Sequence, residues 1–136
     1  DDRISATEMH LPVGKEVEFI FRSQDVIHSA YMPHFRAQMN TVPGVPTRFK
    51  MTPTITTKEM RQKTGDDSFD YILLCNKVCG AVHFNMKMKV VVESEEDYSK
   101  WLMAQKTFIT EEKKEDNKET VPADTAKAPT AMAMVK

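Results

Sequence analysis

The chain has 136 residues, a formal net charge of −1 and a hydrophobic fraction of 40%. That length holds one domain with room for tails, and the near-zero charge excludes the basic footprint of a nucleic-acid-binding protein. No apolar run reaches the ~18 residues of a membrane-spanning helix, and two cysteines are too few for a disulfide scaffold. The chain opens on Asp1-Asp2 with no initiator methionine and no basic-then-apolar leader, as expected of a processed product or a piece of something longer.

Leu11-Pro12-Val13-Gly14-Lys15 reads as a turn. After it Val17, Phe19 and Phe21 alternate with Glu16, Glu18, Ile20 and Arg22, which predicts a half-buried strand. Ser23 to Ser29 reads as a polar bend carrying Val26-Ile27, and it delivers His28. Tyr31 to Phe35 is a short segment broken by Pro33, and Thr41 to Pro46 is a proline–glycine turn. Thr47 to Met51 alternates again as a strand. A short helical turn is predicted around Lys58 to Gln62, followed by a loop at Gly65-Asp66-Asp67. Phe69 to Cys75 is a strand, and Met86 to Val92 is another, with Met86, Met88, Val90 and Val92 on one face. Ser94 suits an N-cap, with Glu95, Glu96 and Asp97 in the first turn of an amphipathic helix over 95–106. Trp101 is that helix's packing anchor. Beyond Thr110 a mixed charge run and an Ala-Pro-Thr-rich stretch predict a disordered tail or linker over 107–136. Short alternating strands between proline and glycine turns argue for an all-β domain over 11–106, a Greek-key sandwich or barrel of about seven strands with a short C-terminal helix.

The chemistry concentrates between the last two predicted strands. Cys75, Cys79, His83 and Met86 fall within twelve positions, so one loop carries two thiols, an imidazole and a thioether. Soft donors of this kind favour copper over magnesium or calcium. Three uses stay open. A disulfide accounts for the cysteines alone. Zinc accounts for the cysteines with His28 and His83 but leaves Met86 idle. Copper uses all five side chains, and the second cysteine, one too many for a blue copper site, allows two bridging thiolates with one imidazole for each of two ions. Such a closed cage leaves no open position for a substrate and suits electron transfer, so no catalytic residue is expected at the metal.

These residues resemble the periplasmic dicopper (CuA) domain of subunit II of haem–copper cytochrome c oxidases. The likeness covers roughly residues 10–103 and rests on Leu11 to Lys15, Ser23 to Ser29, Val42-Pro43-Gly44, the Cys75–Met86 loop and Lys89 to Val92. It implies a cupredoxin-like fold. It also implies that Cys75 and Cys79 are the bridging thiolates, His28 and His83 the imidazole ligands, Met86 the thioether ligand and Lys77 a ligand through its backbone carbonyl. The resemblance further implies single electrons taken from a cytochrome c, soluble or complex-bound. They pass to haem in oxidase subunit I, which holds the haems and CuB and reduces oxygen to water with proton pumping. The expected location is the periplasmic face of the bacterial inner membrane, with residues 1–10 leading in from upstream membrane helices and with other membrane subunits as partners.

Two departures from the family pattern bear on the site. Many relatives carry glutamate at the position of Lys77, where its carboxylate reaches an interface magnesium ion. A lysine keeps the carbonyl but not that contact, which puts the magnesium in doubt. Relatives often have aspartate at the position of Asn40. Two other readings share features with this one: the dicopper domain of nitrous oxide reductase, and a periplasmic copper-delivery protein suggested by the ten methionines. For donor docking, Asp25, Asp66, Asp67 and Asp70 are candidate acidic groups near the copper end, opposed by Lys77, Lys87 and Lys89. His10 and His34 carry no assigned role.

Overall fold

The computed structural model describes residues 2–107, so the predicted tail from 108 onward lies outside the described residues. Seven strands and two helices make up the described chain: β1 (Glu8–Pro12), β2 (Val17–Phe21), β3 (His28–Met32), β4 (Ala37–Thr41), β5 (Thr47–Met51), α1 (Thr57–Thr64), β6 (Tyr71–Leu74), β7 (Lys87–Glu93) and α2 (Glu95–Ala104). Five strands form one sheet in the order β1-β7-β6-β3-β4, and β2 pairs with β5 in a second. All pairs are antiparallel except β1 with β7, which run parallel from Glu8↔Lys89 to Pro12↔Glu93.

The alternation read from β2 has its physical outcome here. Phe19 is buried while Glu18 and Ile20 face outward. With Leu11, Met32, Ala37, Tyr71, Val90 and Val92 it forms the core. Val90 and Val92 sit two apart on β7, as the period-two pleat demands.

Three strands escape the sequence pattern. β1 begins at Glu8, ahead of the turn at Val13-Gly14, because its backbone finds a partner eighty residues away in β7. Ala37-Gln38-Met39-Asn40-Thr41 lacks β-branched enrichment and alternates only between small or flexible residues, with Ala37, Met39 and Thr41 turned inward, and it pairs with β3 from Met32↔Ala37 to His28↔Thr41. A 3-10 turn at Pro33–Phe35 and the left-handed Arg36 (φ 52°) make that hairpin. His28 and Ser29, read as part of a bend, are the first residues of β3.

The predicted helical turn is a full helix, α1. Thr56 caps it: the Glu59 amide donates to Thr56 Oγ1 at 3.1 Å, and the Thr56 amide donates to Glu59 Oε2 at 2.8 Å. Gly65, with φ 69°, ends it in the left-handed conformation that glycine adopts without strain. α2 starts on Ser94 as read, its hydroxyl accepting from the Asp97 amide at 3.2 Å. Trp101 anchors it by stacking on His10 at 4.3 Å with an interplanar angle of 9°. His10 in turn lies 2.7 Å from Glu93 and 3.2 Å from Glu8. So this histidine fastens α2 to β1 and β7, a role invisible without the strand order.

Candidate metal centre

Three connections meet at one end of the sandwich: residues 22–27 between β2 and β3, 42–46 between β4 and β5, and 75–86 between β6 and β7. The first two touch through a Ser23↔Pro43 bridge. The long connection is closed at its base, where the Cys75 amide donates to the Met86 carbonyl at 3.1 Å. Within it, turns are pinned by His83 N to Gly80 O at 3.2 Å and Asn85 N to Val82 O at 2.9 Å. Gly80 adopts φ 134°, and no atom lies within 4 Å of where a Cβ would stand. Backbone conformation rather than space therefore calls for glycine there.

The loop folds its donors inward. Cys75 Sγ and Cys79 Sγ are 3.7 Å apart, well beyond the ~2.05 Å of a disulfide bond. Each thiol has its own imidazole: His28 Nδ1 lies 3.9 Å from Cys75 Sγ, and His83 Nδ1 lies 3.4 Å from Cys79 Sγ. Met86 Sδ is 3.3 Å from Cys79 Sγ, and the Lys77 carbonyl oxygen is 3.3 Å from Cys75 Sγ. All six groups singled out from the sequence are thus brought to one place by two elements, β3 and the β6–β7 connection. Donor atoms of His28, Cys75 and Cys79 alone fall within 4.8 Å of one another.

Asp25 was not read as part of this site, and the structure puts it there. Its Oδ1 lies 2.8 Å from His28 Nε2, which leaves Nδ1 turned to Cys75. A carboxylate on the far nitrogen of an imidazole is the common outer partner of a metal-binding histidine. The signal was present as an aspartate three residues before His28. The hydrogen bond to His28 holds the Asp25 carboxyl down to about 2 and, from the other side, raises His28. Burial pushes the Cys75 thiol up. Backbone hydrogen bonds at Lys77 and Ser29, with help from His28 and Cys79, outweigh it and bring the thiol down to about 6. Cys79 is raised by burial and then by its hydrogen bond with Cys75. One thiolate is therefore favoured before the second, and a cation between the sulfurs is what would let both ionise.

The acidic groups expected near this end are not there, apart from Asp25. Asp70 precedes β6 while Cys75 follows its other end, and Asp70 is tied to Arg61 at 2.8 Å and Lys89 at 3.3 Å. Asp66 and Asp67 lie between α1 and β6, on the same far side.

Comparison with known proteins fits this geometry. The family profile described as cytochrome c oxidase subunit II, periplasmic domain, matches residues 4–95. The chain belongs to the cytochrome c oxidase subunit II family. It is 46% identical over 101 residues to the alternative cytochrome c oxidase subunit 2 of Bradyrhizobium diazoefficiens, covering 74% of this chain and 32% of that one. It is 36% identical over 111 residues to cytochrome c oxidase subunit 2 of Thermostichus vulcanus, covering 81% of this chain and 30% of that one. The chain therefore spans about a third of the length of these subunit II relatives. The solved periplasmic domain of subunit II of cytochrome oxidase from Bradyrhizobium japonicum shares the fold, with a TM-score of 0.59 and 22% identity over 80% of this chain and 66% of that one. A haem–copper terminal oxidase dimer matches with a TM-score of 0.53 and 25% identity, over 65% of this chain and 52% of that one. The all-β, cupredoxin-like expectation for a subunit II domain holds.

Proposed function

We propose that this domain is the electron-accepting module of a haem–copper respiratory oxidase. It would hold two copper ions between Cys75 and Cys79, with His28, His83, Met86 and the Lys77 carbonyl completing the set. The observation that carries this is the convergence of two thiols, each with its own imidazole, with a thioether and a carbonyl on the rim. The donor set fits soft, borderline copper, and zinc would leave Met86 without a use. When bound, a copper pair sharing one electron supplies one-electron acceptance and release with little rearrangement. The chain's residues do the rest. Asp25 orients His28, the Cys75–Met86 backbone bond closes the loop, and the rigid sheet holds β3 against β6.

In this reading the electrons come from a cytochrome c and go to haem in subunit I, where oxygen is reduced. The domain stands at the periplasmic face, anchored by membrane helices upstream of the sequence described. The family match supports the oxidase over nitrous oxide reductase. The copper-delivery reading loses its support, because Met9, Met32, Met51 and Met60 pack in or against the core. Met132 and Met134 lie outside the described residues. The function is tested by mixing the copper-loaded domain with reduced c-type cytochromes, one acidic-faced and one lysine-faced, and scoring transfer from either. One electron should be taken per domain, with a zinc-loaded sample inert. No transfer, or two electrons per domain, would overturn the reading.

Lys77 separates backbone from side chain. Its side chain is exposed and only its carbonyl faces Cys75. Lys77→Ala is expected to keep copper content and visible spectrum unchanged, and loss of copper in that variant would contradict the assignment of the carbonyl. An ammonium group also offers magnesium no ligand, so interface magnesium held through this side chain is not part of the proposal.

A further inference from the structure

The metal-bearing end has a surface chemistry of its own. Ten large apolar residues are exposed among those described, and seven stand on its connections: Val26, Ile27, Val45, Val78, Val82, Phe84 and Met86. Val78 and Phe84 are 93% and 88% exposed. Apolar groups concentrated this way mark a contact face, whereas scattered ones need no explanation. The charge around them is one-sided. Arg22, Lys77 and Lys87 are exposed, and none makes an ion pair among the described residues. The 42–46 connection is uncharged, and Asp25, the acid on these three connections, is engaged by His28. Arg22 and Lys87 also line a cavity of about 380 Å³ beside His28 and Cys75. Ser29 shares its wall, with a buried hydroxyl that has no hydrogen-bond partner among the described residues.

We propose that this end docks an electron donor whose contact face is apolar at its centre and acidic at its rim, with a carboxylate seated between Arg22 and Lys87. The proposal rests on the electron-accepting reading and names the chemistry of its partner. An apolar centre excludes water from the contact, and the unpaired cations steer an acidic partner toward the loop that carries both thiols. Steering of this kind raises association rates well above the ~10⁵–10⁶ M⁻¹s⁻¹ of unsteered docking and fades with salt. The same cations repel a lysine-faced cytochrome.

The test is a nuclear magnetic resonance titration of the reduced, copper-loaded chain with two probes: an acidic-faced c-type cytochrome and a lysine-faced one. The acidic probe should shift amides at Arg22, Ile27, Val78, Phe84 and Lys87, and bind at least tenfold tighter than the basic one at low salt. Arg22→Glu with Lys87→Glu should weaken it by more than tenfold and flatten its salt dependence. Arg22→Gln with Lys87→Gln should fall between. Tighter binding of the basic probe would overturn the proposal. So would shifts on another face, self-association of the chain through this face, or an unchanged Kd in the reversed variant. If the acidic probe binds here as described yet passes no electron, the docking inference stands and the electron-accepting reading fails.

Discussion

Cys79→Ser is expected to abolish binding of the second copper ion and the visible spectrum of the loaded domain while leaving the fold in place. Cys79 Sγ sits in the middle of the donor set, 3.7 Å from Cys75 Sγ, 3.4 Å from His83 Nδ1 and 3.3 Å from Met86 Sδ. Serine offers an alcohol that stays protonated near neutral pH and is a poor ligand for a soft cation. Loss of an outer partner of a ligand alone lowers metal affinity by roughly 10–100-fold, so loss of one of the two thiols that would hold the metal should exceed that range. The 75–86 connection contributes no residue to the buried core, so the metal-free melting temperature should move little. Copper per chain, measured after gel filtration with a circular dichroism melt of the apo protein, checks both halves. Two ions retained in the variant would contradict the bridging assignment, and an unfolded variant would contradict the separation of loop from core.

Met32→Ala acts from the opposite direction. Met32 is 1% exposed, belongs to the same strand as His28, and packs in the cluster with Tyr71, Val90 and Val92. Truncation of a buried methionine removes its transfer free energy and leaves a cavity, an expected loss of about 2–5 kcal/mol. For a domain of this size that corresponds to a fall in Tm of roughly 10–30 °C. Met32→Leu keeps the volume and should cost less than about 1.5 kcal/mol. Urea melts of the two variants distinguish packing from a methionine-specific role. A mild alanine and a severe leucine would show that the thioether, not its volume, is what matters at this position.

Legibility in the sequence followed the range of the interactions involved. β2, β5 and β7 were readable because their alternation is local and strong, β6 because Tyr71 to Leu74 is an unbroken apolar run, and α2 because Ser94 and its acidic first turn are local as well. β1, β3 and β4 were not. His28 to Met32 and Ala37 to Thr41 become strands through their register with each other, and Glu8 to Pro12 through parallel pairing with β7. The donor set was readable because five of its six members lie in one loop. Asp25 was missed in its role on His28 although its spacing was visible, because an acid near a docking face and an acid holding an imidazole look alike in sequence. The charge at the metal-bearing end was readable only in part: Asp25, Lys77 and Lys87 stand there as expected, whereas Asp66, Asp67 and Asp70 do not. Asp70 and Cys75 are five positions apart in the chain but stand at opposite ends of β6.

In the proposed centre Cys75 and Cys79 would hold two copper ions that share one unpaired electron. Electron paramagnetic resonance of the oxidised, copper-loaded domain tests it most directly. The expected spectrum has hyperfine structure from one unpaired electron spread equally over two copper nuclei, with two coppers per chain by metal analysis. A four-line pattern from a single copper nucleus, or a chain that prefers zinc and stays silent, would contradict it.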